Sequence, residues 1–199
     1  MGVLDGWRFC PRCGSDLHAA PGRVECPACG LVHYAHSAPT ASALVLDEAG
    51  RVLLARRRYE PDAGRWDVPG GFLEEGEDPL AGLRRELREE TGLEIEVGSF
   101  VGAFTDVYGD GPGATAVLNL LWEARFAGGE PVPADDVAEL AWFPPDALPA
   151  DEELAFRWLA PALRAWATSR KTPKGRSPAL RLGEGEGEAS NEKLLHSST

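Results

Sequence analysis

At 199 residues the chain has room for one full domain and a small module, and 43% apolar content supports a packed core. No apolar run reaches membrane-spanning length, and a net charge of −12 has the wrong sign for a surface that tracks a nucleic-acid backbone. A phosphate-bearing small molecule is not excluded, because bound divalent cations invert the local field.

The first eight residues lack the basic-then-apolar pattern of a secretion signal, so a cytoplasmic location is the expectation. All four cysteines follow, as Cys10-Pro-Arg-Cys13-Gly and Cys26-Pro-Ala-Cys29-Gly. Two such pairs can set four thiolates tetrahedrally about one zinc, and the twelve residues between them leave room for a hairpin. Two disulfides are the alternative, which a reducing compartment disfavours. A four-sulfur site is closed to catalysis; its metal would supply folding energy to a segment too short for its own core. His33 and His36 read as linker residues, since four thiolates already fill the sphere. The predicted ribbon spans residues 1–37.

Ser37 to Thr40 form a short linker. Ala41 to Asp47 read as a strand, Glu48 to Gly50 as a turn, and Val52 to Arg56 as its hairpin partner. Arg56, Arg57 and Arg58 make a local basic cluster, read either as a contact to a substrate phosphate, with Arg56 and Arg57 as candidates, or as a solvated strand end. Trp66-Asp-Val-Pro69-Gly70-Gly71 makes a rigid turn, with Trp66 as a packing residue. A loop then runs into a helix. Asp78 can cap it, Pro79 fits its first position, Leu80, Leu83 and Leu87 make one apolar stripe, and Gly92 ends it in a left-handed conformation. Glu86, Glu89 and Glu90 share one face in the last turns, where like charges repel and the helix dipole disfavours anions. A charged solvated face is one reading. A divalent cation is the other, and donors without His or Cys favour Mg²⁺ or Mn²⁺ over zinc.

Gly71, Glu77, Arg85-Glu86-Leu87, Glu89-Glu90 and Gly92-Leu93, at their spacing, resemble the Nudix box of the Nudix hydrolase family at every defining position. The resemblance implies an α/β fold, a Nudix α/β/α sandwich with a mixed sheet over residues 38–168, behind the small zinc ribbon. It implies that Glu86, Glu89 and Glu90 bind catalytic Mg²⁺ (or Mn²⁺), with a backbone carbonyl at Gly70 or Gly71 as a further ligand. Glu77 and Arg85 would brace loop and helix by a salt bridge. The implied reaction cleaves the diphosphate linkage of a nucleoside diphosphate derivative.

After the box, Leu93 to Val97 alternate as a half-buried strand, and Phe100 to Tyr108 and Ala114 to Arg125 read as longer paired strands. Gly109 to Gly113 would be a mobile loop over a pocket. A second loop, 128–136, leads to a strand over Val137 to Phe143. Asp151 to Leu154 are expected to cap a last helix carrying Leu154, Trp158, Leu159, Leu163 and Trp166, interrupted by Pro161. Residues 169–199 read as a disordered tail. The proton acceptor is sought among Glu86 and Glu89 in the box or Asp135, Asp136 and Glu139 beyond it. Tyr108, Asp136 and Glu139 are candidate substrate contacts; Phe104, Tyr108 and Phe143 offer stacking surface or core.

A zinc ribbon ahead of such a domain resembles the NADH pyrophosphatases, but their Ser-Gln-Pro-Trp-Pro-Phe-Pro run has no match here, which favours ADP-ribose or another nucleotide-sugar diphosphate. A homodimer is left open. The competing reading is a non-catalytic or regulatory module contacting RNA or protein; an intact acid cluster, destabilising to a pure binder, speaks against it.

Overall fold

A computed structural model describes residues 4–111 and 114–171; part of the loop 109–113 and the expected tail beyond Lys171 lie outside them. The N-terminal module is a small antiparallel meander of β1 (His18–Ala20), β2 (Arg23–Glu25) and β3 (Val32–Tyr34). Its two cysteine pairs sit on tight turns closed by hydrogen bonds from Gly14 N–H to the Cys10 carbonyl (2.8 Å) and from Gly30 N–H to the Cys26 carbonyl (2.9 Å). His33 belongs to β3 rather than to a linker, and its ring stacks on Trp7.

The main sheet is built from β4 (Ala38–Leu46), β5 (Val52–Arg57), β6 (Trp66–Asp67), β7 (Gly70–Phe72), β8 (Leu93–Tyr108), β9 (Thr115–Gly129) and β10 (Val137–Phe143). Its order is β10-β5-β4-β9-β8, with β4 and β9 parallel and the other pairs antiparallel. β4 and β5 pair only at Leu46 and Val52. Beyond that point they part. β6 pairs with β5 and β7 with β4, so the Trp66–Phe72 segment is wedged into the opening. That wedge brings the Pro69–Gly71 turn into the middle of the sheet.

Period-two alternation divides the core between the two faces. Leu44, Val52, Leu54 and Leu121 pack on one side against Leu159, Leu163 and Trp166 of α2 (Leu159–Lys171). Ala43, Val45, Leu53 and Ala124 pack on the other against Leu83 and Leu87 of α1 (Pro79–Thr91). The result is the expected α/β/α sandwich. α1 has the expected ends: the Asp78 carboxylate accepts from Leu80 and Ala81 N–H, and Gly92 closes the helix at φ 70°.

Several elements differ from expectation. β4 begins at Ala38, so residues 38–40 of the expected linker are strand paired with β9, and β9 itself runs on to Gly129 rather than ending at Arg125. The strands at 93–97 and 100–108 are one strand, β8, whose register shifts between Val97 and Gly102 bend it without ending it. The last helix begins at Leu159, not at 151; Asp151–Glu153 form a single 3₁₀ turn, and Leu154 is drawn off to bridge Trp66. Pro161 therefore falls in the first turn of α2, where a missing N–H costs no hydrogen bond, and does not interrupt the helix.

Candidate active site

One cleft of about 200 Å³ opens over the split in the sheet. Its acidic wall carries Glu86 and Glu90 of α1, Asp67 of β6, and Asp135 and Asp136 from the loop before β10. Glu90 is 7% exposed, and one of its carboxylate oxygens accepts from the Gly70 N–H at 2.9 Å. Burial pushes its carboxyl well above the usual range, and Asp136, Glu86 and Asp67 add to that while the Gly70 hydrogen bond opposes it. Glu86 is raised in the same way by burial, against the pull of Arg85.

The turn lies this close because its two glycines carry no side chains. A Cβ on Gly71 would lie 2.6 Å from the Glu86 carboxyl, and one on Gly70 would lie 2.2 Å from the Ala41 carbonyl oxygen.

Arg85 organises the helix end. Its Nε and Nη2 each donate to Glu77 at 2.9 Å, a bidentate pair that holds the Glu77 carboxyl down at about 2. Nη1 reaches Glu86 at 2.8 Å and Glu89 at 3.1 Å, and Nη2 also donates to the Phe72 carbonyl. Glu89 stays on the exposed rim.

The other sequence candidates divide. Arg57 and Tyr108 line the cleft and touch, Arg57 Nη2 donating to the Tyr108 hydroxyl at 3.1 Å. Asp136 lines it too; its backbone carbonyl accepts from the Arg58 N–H at 2.7 Å, while its carboxylate makes no hydrogen bond or ion pair among the described residues. Arg56 and Glu139 do not line this cleft and pair with each other at 3.1 Å; Arg56 lies over the Trp66 ring and borders a smaller pocket shared with Asp67, Glu90 and Asp136. Phe104 stacks on Trp158 and Phe143 meets Trp66 edge-on, both in the core.

Several lining residues were not singled out from sequence. Asp67 is half-buried, and loss of solvent around it drives its carboxyl up to about 7 even though Arg57 Nη1 stands 3.5 Å away. An acid inside the apolar approach to the box was the available signal. Thr40 donates to the Asn119 side chain at 2.8 Å on the cleft floor, and Asn119 stands out as the polar residue in an apolar strand. Phe156 lies between two elements and carried no pattern to mark it.

Could these residues hold metal? The four cysteines are free thiols with Sγ atoms all within 4.8 Å of one another, and Cys10–Cys29 and Cys13–Cys26 are each 3.6 Å apart. That is close to the edge of about 3.8 Å expected for sulfurs on a tetrahedron with ~2.3 Å zinc–sulfur bonds. The glutamates converge less tightly: Glu90 turns to Gly70, and Glu86 and Glu89 turn to Arg85. Their all-oxygen donor set and mutual repulsion still fit a hard divalent cation.

Residues 36–165 match the model of the NUDIX domain family. The chain is 36% identical over 147 residues to a protein of Stutzerimonas stutzeri named NAD-capped RNA hydrolase NudC, covering 72% of this chain and 50% of that one. It is 32% identical over 123 residues to a protein of Methanocaldococcus jannaschii named ADP-ribose pyrophosphatase, covering 62% and 69%. The chain thus spans about half the length of the NudC relatives it matches. Among solved structures, a NUDIX hydrolase from Nitrosomonas europaea superposes with a TM-score of 0.69 at 25% identity over 82% of this chain and 92% of that one. No helix among the described residues is long and apolar enough to cross a membrane.

The raised Asp67 carboxyl has a stability consequence. Folded Asp67 keeps its proton to about pH 7, whereas the ordinary value is 3.8, so the native state binds the extra proton between them. Its contribution to stability therefore falls as pH rises through that window. In EDTA, the melting temperature of Asp67→Asn should rise relative to wild type from pH 4 to pH 7.5. Parallel curves would show that Asp67 does not titrate in the folded state as described.

Proposed function

The chain belongs to the NUDIX family, and on that footing we propose that it is a Mg²⁺- or Mn²⁺-dependent pyrophosphohydrolase cleaving the diphosphate linkage of a nucleoside diphosphate derivative such as ADP-ribose or a nucleotide sugar. The observation that carries this reading is the crowding of Glu86, Glu90, Asp67 and Asp136 into one cleft against the glycine turn. Such a cluster is costly unless a cation balances it. The relative named as an ADP-ribose pyrophosphatase supports the substrate choice, as does the missing Ser-Gln-Pro-Trp-Pro-Phe-Pro run.

In this reading Glu86, Glu89 and Glu90, with a carbonyl of Gly70 or Gly71, would hold the ions. When bound, these neutralise phosphate oxygens and make hydroxide available near neutral pH. Gly70 N–H fixes the Glu90 carboxylate, and Arg85 holds the Glu86 carboxylate in the cleft while tethering Glu89 at the rim. Asp136, whose carboxylate makes no hydrogen bond among the described residues, takes the proton of the attacking water as the new P–O bond forms and the bridging P–O bond breaks. Arg57 and Tyr108 lie on the substrate side of the cleft. The four cysteines of the ribbon would hold a structural zinc as thiolates.

Three variants test these roles. In a magnesium-dependent phosphate-release assay on ADP-ribose and related dinucleotides, Glu90→Gln should lose at least about 100-fold in rate with an unchanged circular dichroism spectrum; retained turnover would remove Glu90 from the metal site. Asp136→Asn should lower kcat by about 100- to 10,000-fold, and an unaffected kcat would pass the proton to another carboxylate. Cys13→Ser should lose zinc and melt earlier while costing little specific activity. A fall in turnover with no change in melting would mean that the zinc is more than structural.

A further inference from the structure

Helix α1 covers only part of its side of the sheet. The apolar cluster beneath it takes in β4, β5 and the near ends of β8 and β9, and reaches Trp122 at its margin. The same face then runs on uncovered by any helix among the described residues. Along it Phe100, Ala103 and Val107 of β8 stand opposite Trp122, Leu120 and Ala116 of β9. Phe100 is 53% and Val107 54% exposed, and Leu120 and Trp122 are half-buried. The Phe100 ring meets Trp122 edge-on with centroids 5.2 Å apart. No paired position on this face between Phe100 and Val107 carries a charge, in a chain of net charge −12. β8 is also the last strand of the sheet, and it has neither lysine, arginine nor proline to blunt its edge.

Two paired strands of this length present a strip of roughly 26 by 15 Å, about 400 Å². A stable interface needs about 800 Å² per partner, with an apolar centre inside a polar rim. The strip therefore has the size of such a centre. A flat sheet face packs well on another sheet face with the strands aligned to within about 30°. A second copy of this chain supplies a face of the same length, equally free of charge. A two-fold axis would set the Phe100–Trp122 pair of each copy over the aliphatic end of the other. We propose that the open face of β8 and β9 is a homodimer interface, sheet packed on sheet, with Phe100 and Trp122 as its anchors. It does not depend on the reaction carried out in the cleft.

The test is sedimentation velocity and light scattering on the full chain. Wild type at micromolar concentration should have twice the 21.3 kDa mass of one chain. Two chains of charge −12 repel across an uncharged contact, so association should tighten severalfold as salt rises from about 20 to 200 mM. Ala103→Arg buries two guanidinium groups without partners and should weaken association at least about 100-fold. Val107→Glu should weaken it at least about tenfold. Both positions are exposed in the single chain, so circular dichroism and phosphate release should match wild type. Should Ala103→Arg fail to fold, Val107→Glu decides. Phe9→Ser, at an exposed aromatic of the ribbon, should leave the mass unchanged. A wild-type chain that stays monomeric at hundred-micromolar concentration would overturn the proposal. So would a dimer indifferent to the β8 substitutions, one dissolved by Phe9→Ser, or one that loosens as salt rises.

Discussion

The hydrogen bond from the Gly70 N–H to the Glu90 carboxylate joins the two halves of the site. Gly70 stands at the end of the wedge that splits β4 from β5, and Glu90 stands in the last turn of α1. The bond forms because the backbone of the turn lies between β4 and the carboxylates: a Cβ at Gly70 would run into the Ala41 and Ser42 backbone, and one at Gly71 would press on the Glu86 carboxyl. The opening between β4 and β5 gives the cleft its floor, the wedge gives it Asp67, and the helix gives it Glu86 and Glu90.

The arrangement is expensive for the fold. Glu90 and Asp67 are carboxyls driven upward chiefly by burial, and each also feels the charge of Asp136. Stability comes from elsewhere. Two apolar clusters clamp the sheet between α1 and α2, and the Arg85–Glu77 fork fixes the loop to the helix. Activity and stability are therefore served by different residues of one helix: Leu83 and Leu87 face the core, while Glu86 and Glu90 face the cleft.

What the sequence disclosed follows from how local each signal is. Asp78, Pro79, the leucine stripe and Gly92 act within a few residues of one another, so the limits of α1 could be read directly. The cysteine pairs were legible for the same reason, and the gathering of their sulfurs agrees with that reading. β8 was cut in two because Gly98 and Ser99 look like a break, whereas pairing with β9 carries the strand across them. The start of α2 was misplaced because Leu154 is claimed by Trp66, a contact that spans most of the domain. The same nonlocality hid Phe156, which acquires its neighbours Arg57 and Tyr108 only when β5 and β8 are assembled. It also separates Arg56 from Arg57, adjacent in sequence and alternating across the strand, so that only Arg57 lines the main cleft.

The account's central claim is that the acids at the end of α1 hold divalent cations against a diphosphate. The most direct measurement is anomalous diffraction from crystals of the intact chain grown with Mn²⁺. The account predicts strong peaks between Glu86, Glu89, Glu90 and the Gly70–Gly71 carbonyls, with Glu89 swung in from the rim. Crystals in which those carboxylates show no manganese, while substrate is bound in the cleft, would contradict it.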